Sequence, residues 1–236
     1  MGKRIWELDA LRGLCVIGMV IVHFIFDLVD LYGILNWHYP ALYRFVQDWG
    51  GVLFLLISGI CVTLGHRSVK RGIIVLLCGL LVSAVTYGMT FFDFDESVII
   101  YFGVLHCLGI CMILWPVFKG MPTWLLAFLG GVMALVGLSL VSIPPVSYPW
   151  LIPLGIVPEG FISSDYFPLL PHLGFFLLGA VLGKTLYAKK QSLLMDANTR
   201  NPILRFFRFC GRQSLWIYLL HQPVLNGICW ALSAIL

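Results

Sequence analysis

Charge is what this sequence has least of. Only 11% of its 236 residues are Asp, Glu, Lys or Arg, where a soluble domain carries about 25%, and the mean hydropathy is +0.96. With 60% hydrophobic residues, a water-facing sphere of this size would lack the polar surface to cover itself. Soluble domains, disordered chains and fibres are thereby excluded. The seven cysteines, Cys15, Cys61, Cys78, Cys107, Cys111, Cys210 and Cys229, form no CxxC pair and lie in or beside apolar runs, which excludes a secreted disulfide scaffold and makes them small core residues. Internal repeats and low-complexity tracts are also missing. No small-residue cleavage site follows the first apolar run, which is too long for a signal-peptide h-region, so that run is expected to stay as an anchor.

What the sequence does have is long apolar runs. A hydrocarbon core of about 30 Å takes about 20 helical residues, and runs near 10–31, 46–65, 72–91, 98–118, 122–142, 169–188 and 213–235 qualify. The expected fold is an all-α integral membrane protein, a single polytopic domain with a bundle of about seven transmembrane helices. With the N-terminus in the cytoplasm, alternation through seven spans puts 14 of the 15 Lys and Arg on the cytoplasmic side and leaves only Arg44 outside. The acidic residues mirror this, with Asp30, Asp48, Asp93, Asp95, Glu96, Glu159 and Asp165 on the outer side. The positive-inside rule therefore predicts an N-in, C-out topology. The net charge of +4 reflects that topology, and no nucleic-acid partner is expected.

Three connections are long. The first outer loop runs from Tyr32 to Asp48. A second, from Ser142 to Pro171, holds seven of the twelve prolines and is expected to be a folded cap or re-entrant segment. The third is cytoplasmic, from Lys184 to Arg212, and its stretch NPILRFFRFCGR interleaves Arg with Phe like an interfacial helix.

Within the spans the polar residues stand out. At 1.5 Å per residue, His23 lies about 16 Å and Asp27 about 22 Å beyond Arg12. They are four residues apart and share one helix face. His221 and His106 come out about 14–15 Å from opposite membrane faces by the same measure. Ionisable groups at such depths are costly unless they face protein or water, so a functional role is the default expectation, with an interhelical hydrogen-bond pair as its bland counterpart. His23, His106 and His221 together could line a polar shaft, or one pair could ligate a haem or a metal ion. A b-type cytochrome and a proton-coupled transporter are the alternatives this leaves open, although the inverted repeats of many transporters are not found.

The opening Arg4-Ile-Trp-Glu-Leu-Asp9-Ala-Leu-Arg12-Gly13 resembles the R-x-x-x-[LV]-D-x-x-R-G stretch that leads into the first span of a large superfamily of transmembrane acyltransferases. His38, Asp48 ten residues later and Gly59 closing FLLISG resemble the catalytic region of the heparan-α-glucosaminide N-acetyltransferase family. Gly103-Val-Leu-His106, Asp165-Tyr-Phe-Pro-Leu-Leu-Pro with the following LGFFLLG, and Gly211-Arg-Gln-Ser-Leu-Trp-Ile-Tyr-Leu-Leu-His221 are similar to further segments of that family and its bacterial members. There are departures. Asp27 stands where the lysosomal enzyme has asparagine, His106 replaces a glutamine, and that enzyme is larger with more spans.

The resemblance implies a membrane-bound enzyme that moves an acetyl or other short acyl group from cytoplasmic acyl-CoA, acetyl-CoA above all, to an extracytoplasmic glycan or amino sugar. It implies His38 as general base or acyl carrier, an imidazole being both available and basic enough near neutral pH, with Asp27 as its orienting partner. Arg12, Arg67, Lys70, Arg71, Arg208 and Arg212 are expected to hold the CoA phosphates. His23, His106 and His221 would line the path of the pantetheine arm, and Trp37, Asp48, Asp165 and His172 would face the acceptor. No metal is expected. The expected location is the bacterial cytoplasmic membrane, and formation of a homodimer is left open.

Overall fold

In the computed structural model the described residues are 5–92, 96–140, 142–194 and 201–235. Lys3, Arg4, Asp93, Asp95 and Arg200 lie outside them. The described chain is helical, with no strand and one isolated bridge between Phe102 and Tyr166. Its α-helices are α1 (Trp6–Phe26), α2 (Ala41–Leu64), α3 (Ser68–Met89), α4 (Val104–Phe118), α5 (Thr123–Leu140), α6 (Leu169–Thr185), α7 (Pro202–Arg212) and α8 (Ser214–Ser233). The chain divides into two compact units, Met1–Phe54 with Lys190–Leu236, and Leu55–Lys189.

Four helical stretches are long and apolar enough to cross a membrane: Trp6–Leu31, Ala41–Leu64, Ser68–Phe92 and Thr123–Leu140. Helices α4 and α6 are apolar but shorter. The run expected at 98–118 begins its helix only at Val104, because the backbone just before it is used elsewhere: Phe167 N–H donates to Phe102 O at 2.9 Å and Ser164 N–H to Ile99 O at 3.3 Å. Helix α8 is 20 residues long, but His221, Gln222 and Asn226 lower its apolar character. The first loop also differs from expectation. Helix α2 starts at Ala41, directly after Pro40, whose fixed φ suits a helix start, so the loop ends there and Asp48 lies on the helix.

The first unit is built on α1, the beginning of α2, α7 and α8. Glu7 and Asp9 occupy the first turn of α1, where the helix dipole favours acids. Helix α7 begins as its sequence dictates: the Asn201 side chain accepts from Ile203 N–H at 2.9 Å and Pro202 takes the first helical position. Its Phe206 and Phe209 are exposed. Helices α1 and α7 meet through glycines, since a Cβ at Gly13 would lie 1.9 Å from Phe207 O and one at Gly211 1.7 Å from Asp9 O.

The second unit contains the rest of α2 and α3 to α6. Small residues again allow close helix approach: a Cβ on Gly59 would lie 2.0 Å from Phe176 O, and one on Gly72 2.7 Å from Gly109 O. The connection expected from Ser142 to Pro171 is folded, with a 3-10 turn at Pro149–Leu154 and a bond from Val146 N–H to Val157 O at 3.2 Å.

Candidate active site

The polar residues of α1 and α8 meet in the first unit. His23 Nδ1 lies 2.7 Å from His221 Nε2, and the two rings lie edge to edge, with centroids 4.9 Å apart and planes 17° from parallel. His221 Nδ1 in turn sits 2.6 Å from Tyr218 O. One turn further along α1, the Asp27 side chain is 1% exposed and both its carboxylate oxygens accept from Gln222 Nε2, at 3.0 and 3.1 Å. The network continues along α8. Asn226 Nδ2 donates to Gln222 O at 3.1 Å, and Tyr32 OH donates to Asn226 O at 3.2 Å.

Backbone geometry accompanies this cluster. Helix α1 widens into a π-helical turn over Asp27–Leu31, closed by Tyr32 N–H donating to Asp27 O at 2.9 Å. Such turns occur in α-helices frequently at functional sites. Beyond it, the loop is tied back by Leu35 N–H to Leu28 O at 3.0 Å and by Tyr39 OH, which donates to Asp30. Burial, then the bond to Asp30, raises the Tyr39 phenol above its ordinary range. Tyr39 stacks on Tyr43 with centroids 4.4 Å apart, and Tyr43 OH donates to Val22 O at 3.1 Å.

The opening motif packs at the other end of α1. Asp9 pairs with Arg212 Nε at 3.3 Å. Arg12 Nη2 donates to Ser214 Oγ at 3.3 Å while its guanidinium lies 5.6 Å from the centre of the Phe54 ring. The buried Arg12 Nε has no hydrogen-bond partner among the described residues, and no carboxylate among them pairs with Arg12. Glu7 is buried, accepting from Ser192 Oγ and from Leu193 N–H, each at 2.8 Å. The acidic and basic members of the motif therefore have different tasks: Glu7 and Asp9 tie the segments together, and Arg12 keeps unused donor capacity.

Of the residues singled out by sequence, His23, Asp27 and His221 are brought together, whereas Asp27 and His38 are not hydrogen-bonded. The Asp27 carboxylate is taken by Gln222, and His38 is exposed on the loop next to Trp37, which is 41% exposed. Trp37 makes edge contacts with Tyr39 and Tyr43. Asp48 is exposed on α2. Gln222, Asn226, Tyr32 and Ser214 were missed by sequence reasoning. A signal existed for the first two, which follow His221 at one and five residues inside an otherwise apolar run.

The remaining candidates lie in the second unit. His106 is buried and satisfied at both nitrogens: Gly103 N–H donates to Nδ1 at 3.2 Å, so Nε2 carries the proton, which faces Ser83 Oγ at 3.3 Å. That is the bonding of a core histidine. Asp165 Oδ2 accepts from Val104 N–H at 3.0 Å and so caps the start of α4. Next to it, Tyr166 OH donates to Ile152 O at 2.7 Å, and burial pushes its phenol up to about 12. His172 Nδ1 donates to Pro168 O at 2.7 Å. Arg67, Lys70 and Arg71 are exposed around the turn into α3, where Arg67 has a left-handed φ of 60°.

The family model for heparan-alpha-glucosaminide N-acetyltransferase, catalytic, matches residues 4–223. The chain belongs to this family. The match takes in both units and ends just past Gln222, so the whole polar cluster up to that residue falls within it. No curated protein and no solved structure gives a significant match. Membership, with the long apolar helices, makes the chain an integral membrane acetyltransferase, and acetyl-CoA is the donor used by acetyltransferases of this kind. The His23–His221 contact has the geometry of a hydrogen bond. Its nitrogens are 2.7 Å apart, whereas an ion between them would need two bonds of about 2.0–2.1 Å each. A proton joins these rings.

Proposed function

We propose that this protein transfers an acetyl group from cytoplasmic acetyl-CoA to an amino sugar or glycan outside the bacterial cytoplasmic membrane, as one transmembrane domain with seven spans, N-terminus in and C-terminus out. The observation that carries this is the half-buried polar cluster of α1 and α8, around the buried Asp27, lying inside the family match. An acetyltransferase needs an anion site for the CoA phosphates and a base near the thioester, and α1 of the first unit carries a candidate for each. Arg12, with its unused guanidinium donor, and Arg208 and Arg212 on α7 would hold phosphate. From Arg12 to His23 is eleven helical residues, about 16 Å of rise, and an extended pantetheine arm spans a similar length, about 15–20 Å from its bond lengths. The thioester would then arrive at the histidine pair.

His38, on the exposed loop, is the residue the family resemblance implies as base or acyl carrier. It would meet the acceptor together with Trp37. Asp27, one turn beyond His23, would orient the incoming amine or hydroxyl through the acceptor capacity that Gln222 leaves unfilled. In the second unit, Arg67, Lys70 and Arg71 are further candidates for anion binding, and Asp165 and His172 for the acceptor.

The test is incubation of the detergent-solubilised protein with radiolabelled acetyl-CoA and D-glucosamine or extracts of surface glycan. Label should move to the acceptor, with loss of transfer in His38→Ala if that residue is the carrier. Failure of the wild-type protein to label any acceptor refutes the proposal.

A further inference from the structure

The hydrogen bonds around His221 dictate where the protons sit. A carbonyl oxygen can only accept, so the 2.6 Å contact with Tyr218 O places a proton on His221 Nδ1. In the neutral ring the other nitrogen, Nε2, then carries a lone pair. His23 Nδ1, 2.7 Å away, must supply the proton of that contact. His23 is thereby held as its Nδ1–H tautomer, and its Nε2 presents a lone pair. No described residue hydrogen-bonds His23 Nε2, and the ring is half-buried and not sealed. The hydrogen bond between the two nearly coplanar rings fixes the direction in which that lone pair points. Few arrangements prepare an imidazole more completely for accepting a proton: the tautomer and the orientation are both set by a second-site residue.

We propose that His23 is the catalytic base of the acetyl transfer and that His221 is its positioning residue, which moves the base from the loop to the helix pair. The inference rests on the acetyltransferase function proposed above. The acceptor amine attacks the thioester carbonyl, the new C–N bond forms, and the C–S bond breaks to release the CoA thiolate. The amine proton goes to His23 Nε2. As it arrives, the Nδ1 proton of His23 can pass to His221 Nε2, which spreads the positive charge over both rings and toward the Tyr218 carbonyl. The proton returns by the same route to the thiolate, giving N-acetyl sugar and CoA–SH with both rings in their starting tautomers. A hydroxyl acceptor would follow the same proton path.

The structure of the pair separates positioning from packing. Gln at 221 offers a carbonyl oxygen that can accept from His23 Nδ1–H as His221 Nε2 does, whereas Leu at 221 fills space and offers nothing. The experiment uses full-length protein labelled with [15N]histidine, alongside thiol release from acetyl-CoA with D-glucosamine as acceptor. Nitrogen NMR of the wild type should show His23, assigned by its loss in His23→Gln, as the Nδ1–H tautomer. That signature should persist in His221→Gln and vanish in His221→Leu. In turnover, His23→Gln should lose at least about a hundredfold, the low end of what a positioned base contributes, with acetyl-CoA affinity unchanged. His221→Leu should lose about tenfold or more in kcat with KM unchanged, and His221→Gln should recover most of it.

An Nε2–H tautomer at His23 overturns the inference, as does His23→Gln turnover within threefold of wild type. If His38→Ala alone abolishes transfer while His23→Gln does not, the base is on the loop and the acetyltransferase function stands without this assignment. A wild-type protein that releases no thiol with any acceptor, yet shows the Nδ1–H tautomer, removes the acetyltransferase function and the assignment with it.

Discussion

Replacing Gly211 with alanine should damage the protein more than any exposed substitution of similar size. The added methyl would sit 1.7 Å from Asp9 O and 3.0 Å from Gly13 N, where real Cβ contacts are not found under 3.0 Å. The obstacle is backbone on the facing helix, so no side chain can swing aside. Helix α7 must retreat from α1 by more than an ångström. That retreat lengthens the 3.3 Å Asp9–Arg212 ion pair and strains the segment leading to Ser214, whose hydroxyl accepts from Arg12 at 3.3 Å. Overpacking of this kind costs about 1–3 kcal/mol. The ion pair adds little because Arg212 is half-exposed, while loss of the Arg12 bond adds about 1.5–3 kcal/mol. Together these come to about 2.5–6 kcal/mol, which at about 2–4 °C per kcal/mol for a chain of this length lowers the melting midpoint by about 5–24 °C. Melts in detergent at one fixed scan rate give apparent midpoints that can be compared across variants. Gly227→Ala is the matched control on α8. Nothing lies within 4 Å of its Cβ position, and alanine there should be neutral or stabilise by up to about 1 kcal/mol. If Gly211→Ala melts at or above the wild type, the close approach of α1 and α7 is wrong.

Three further outcomes are expected. Arg12→Gln should weaken acetyl-CoA binding about tenfold, a loss of about 1.4 kcal/mol, and rising salt should weaken the wild type in the same direction; unchanged affinity measured by titration removes Arg12 from the donor site. Asp27→Asn keeps an oxygen facing Gln222 Nε2 and should lose little stability, whereas Asp27→Ala leaves that amide without its acceptor in a buried place and should cost about 1–3 kcal/mol and most of the turnover; equal behaviour of the two variants in melts and kinetics rules out the pairing as a determinant. For topology, cysteines introduced at Glu159 and Gln191 in intact cells should respond oppositely to an impermeant thiol reagent, Glu159→Cys labelled and Gln191→Cys protected, and the reverse pattern inverts the proposed orientation.

Composition and periodicity determined a great deal alone. An apolar fraction this high leaves only a membrane as solvent, and apolar runs of span length can satisfy their backbone only as helices, so the helical fold and the long spans were legible. The spacing of His23 and Asp27 along the first helical stretch was legible too, since helical rise is constant, as was family membership through Asp9, Arg12, Gly13 and the segments around His106, Asp165 and His221. The local sequence also fixed where α7 begins, at Asn201 and Pro202, because capping needs only neighbours in the chain.

Tertiary structure decided the partnerships. Asp27 and His38 are close in sequence, and a short connection allows them to meet, yet the carboxylate is claimed by Gln222, 195 residues away. His23, His106 and His221 looked equivalent by depth. Only packing makes the first and last a hydrogen-bonded pair and leaves the third satisfied by Gly103 and Ser83. The late start of α4 has the same origin, since residues before Val104 pair with a segment some sixty positions later. The physical reason is common to all of these. Burial and rise follow from local composition, but a hydrogen bond depends on which helix faces reach contact, and that is set by glycines such as Gly13 and Gly211, whose role appears only when the backbone they admit is in place.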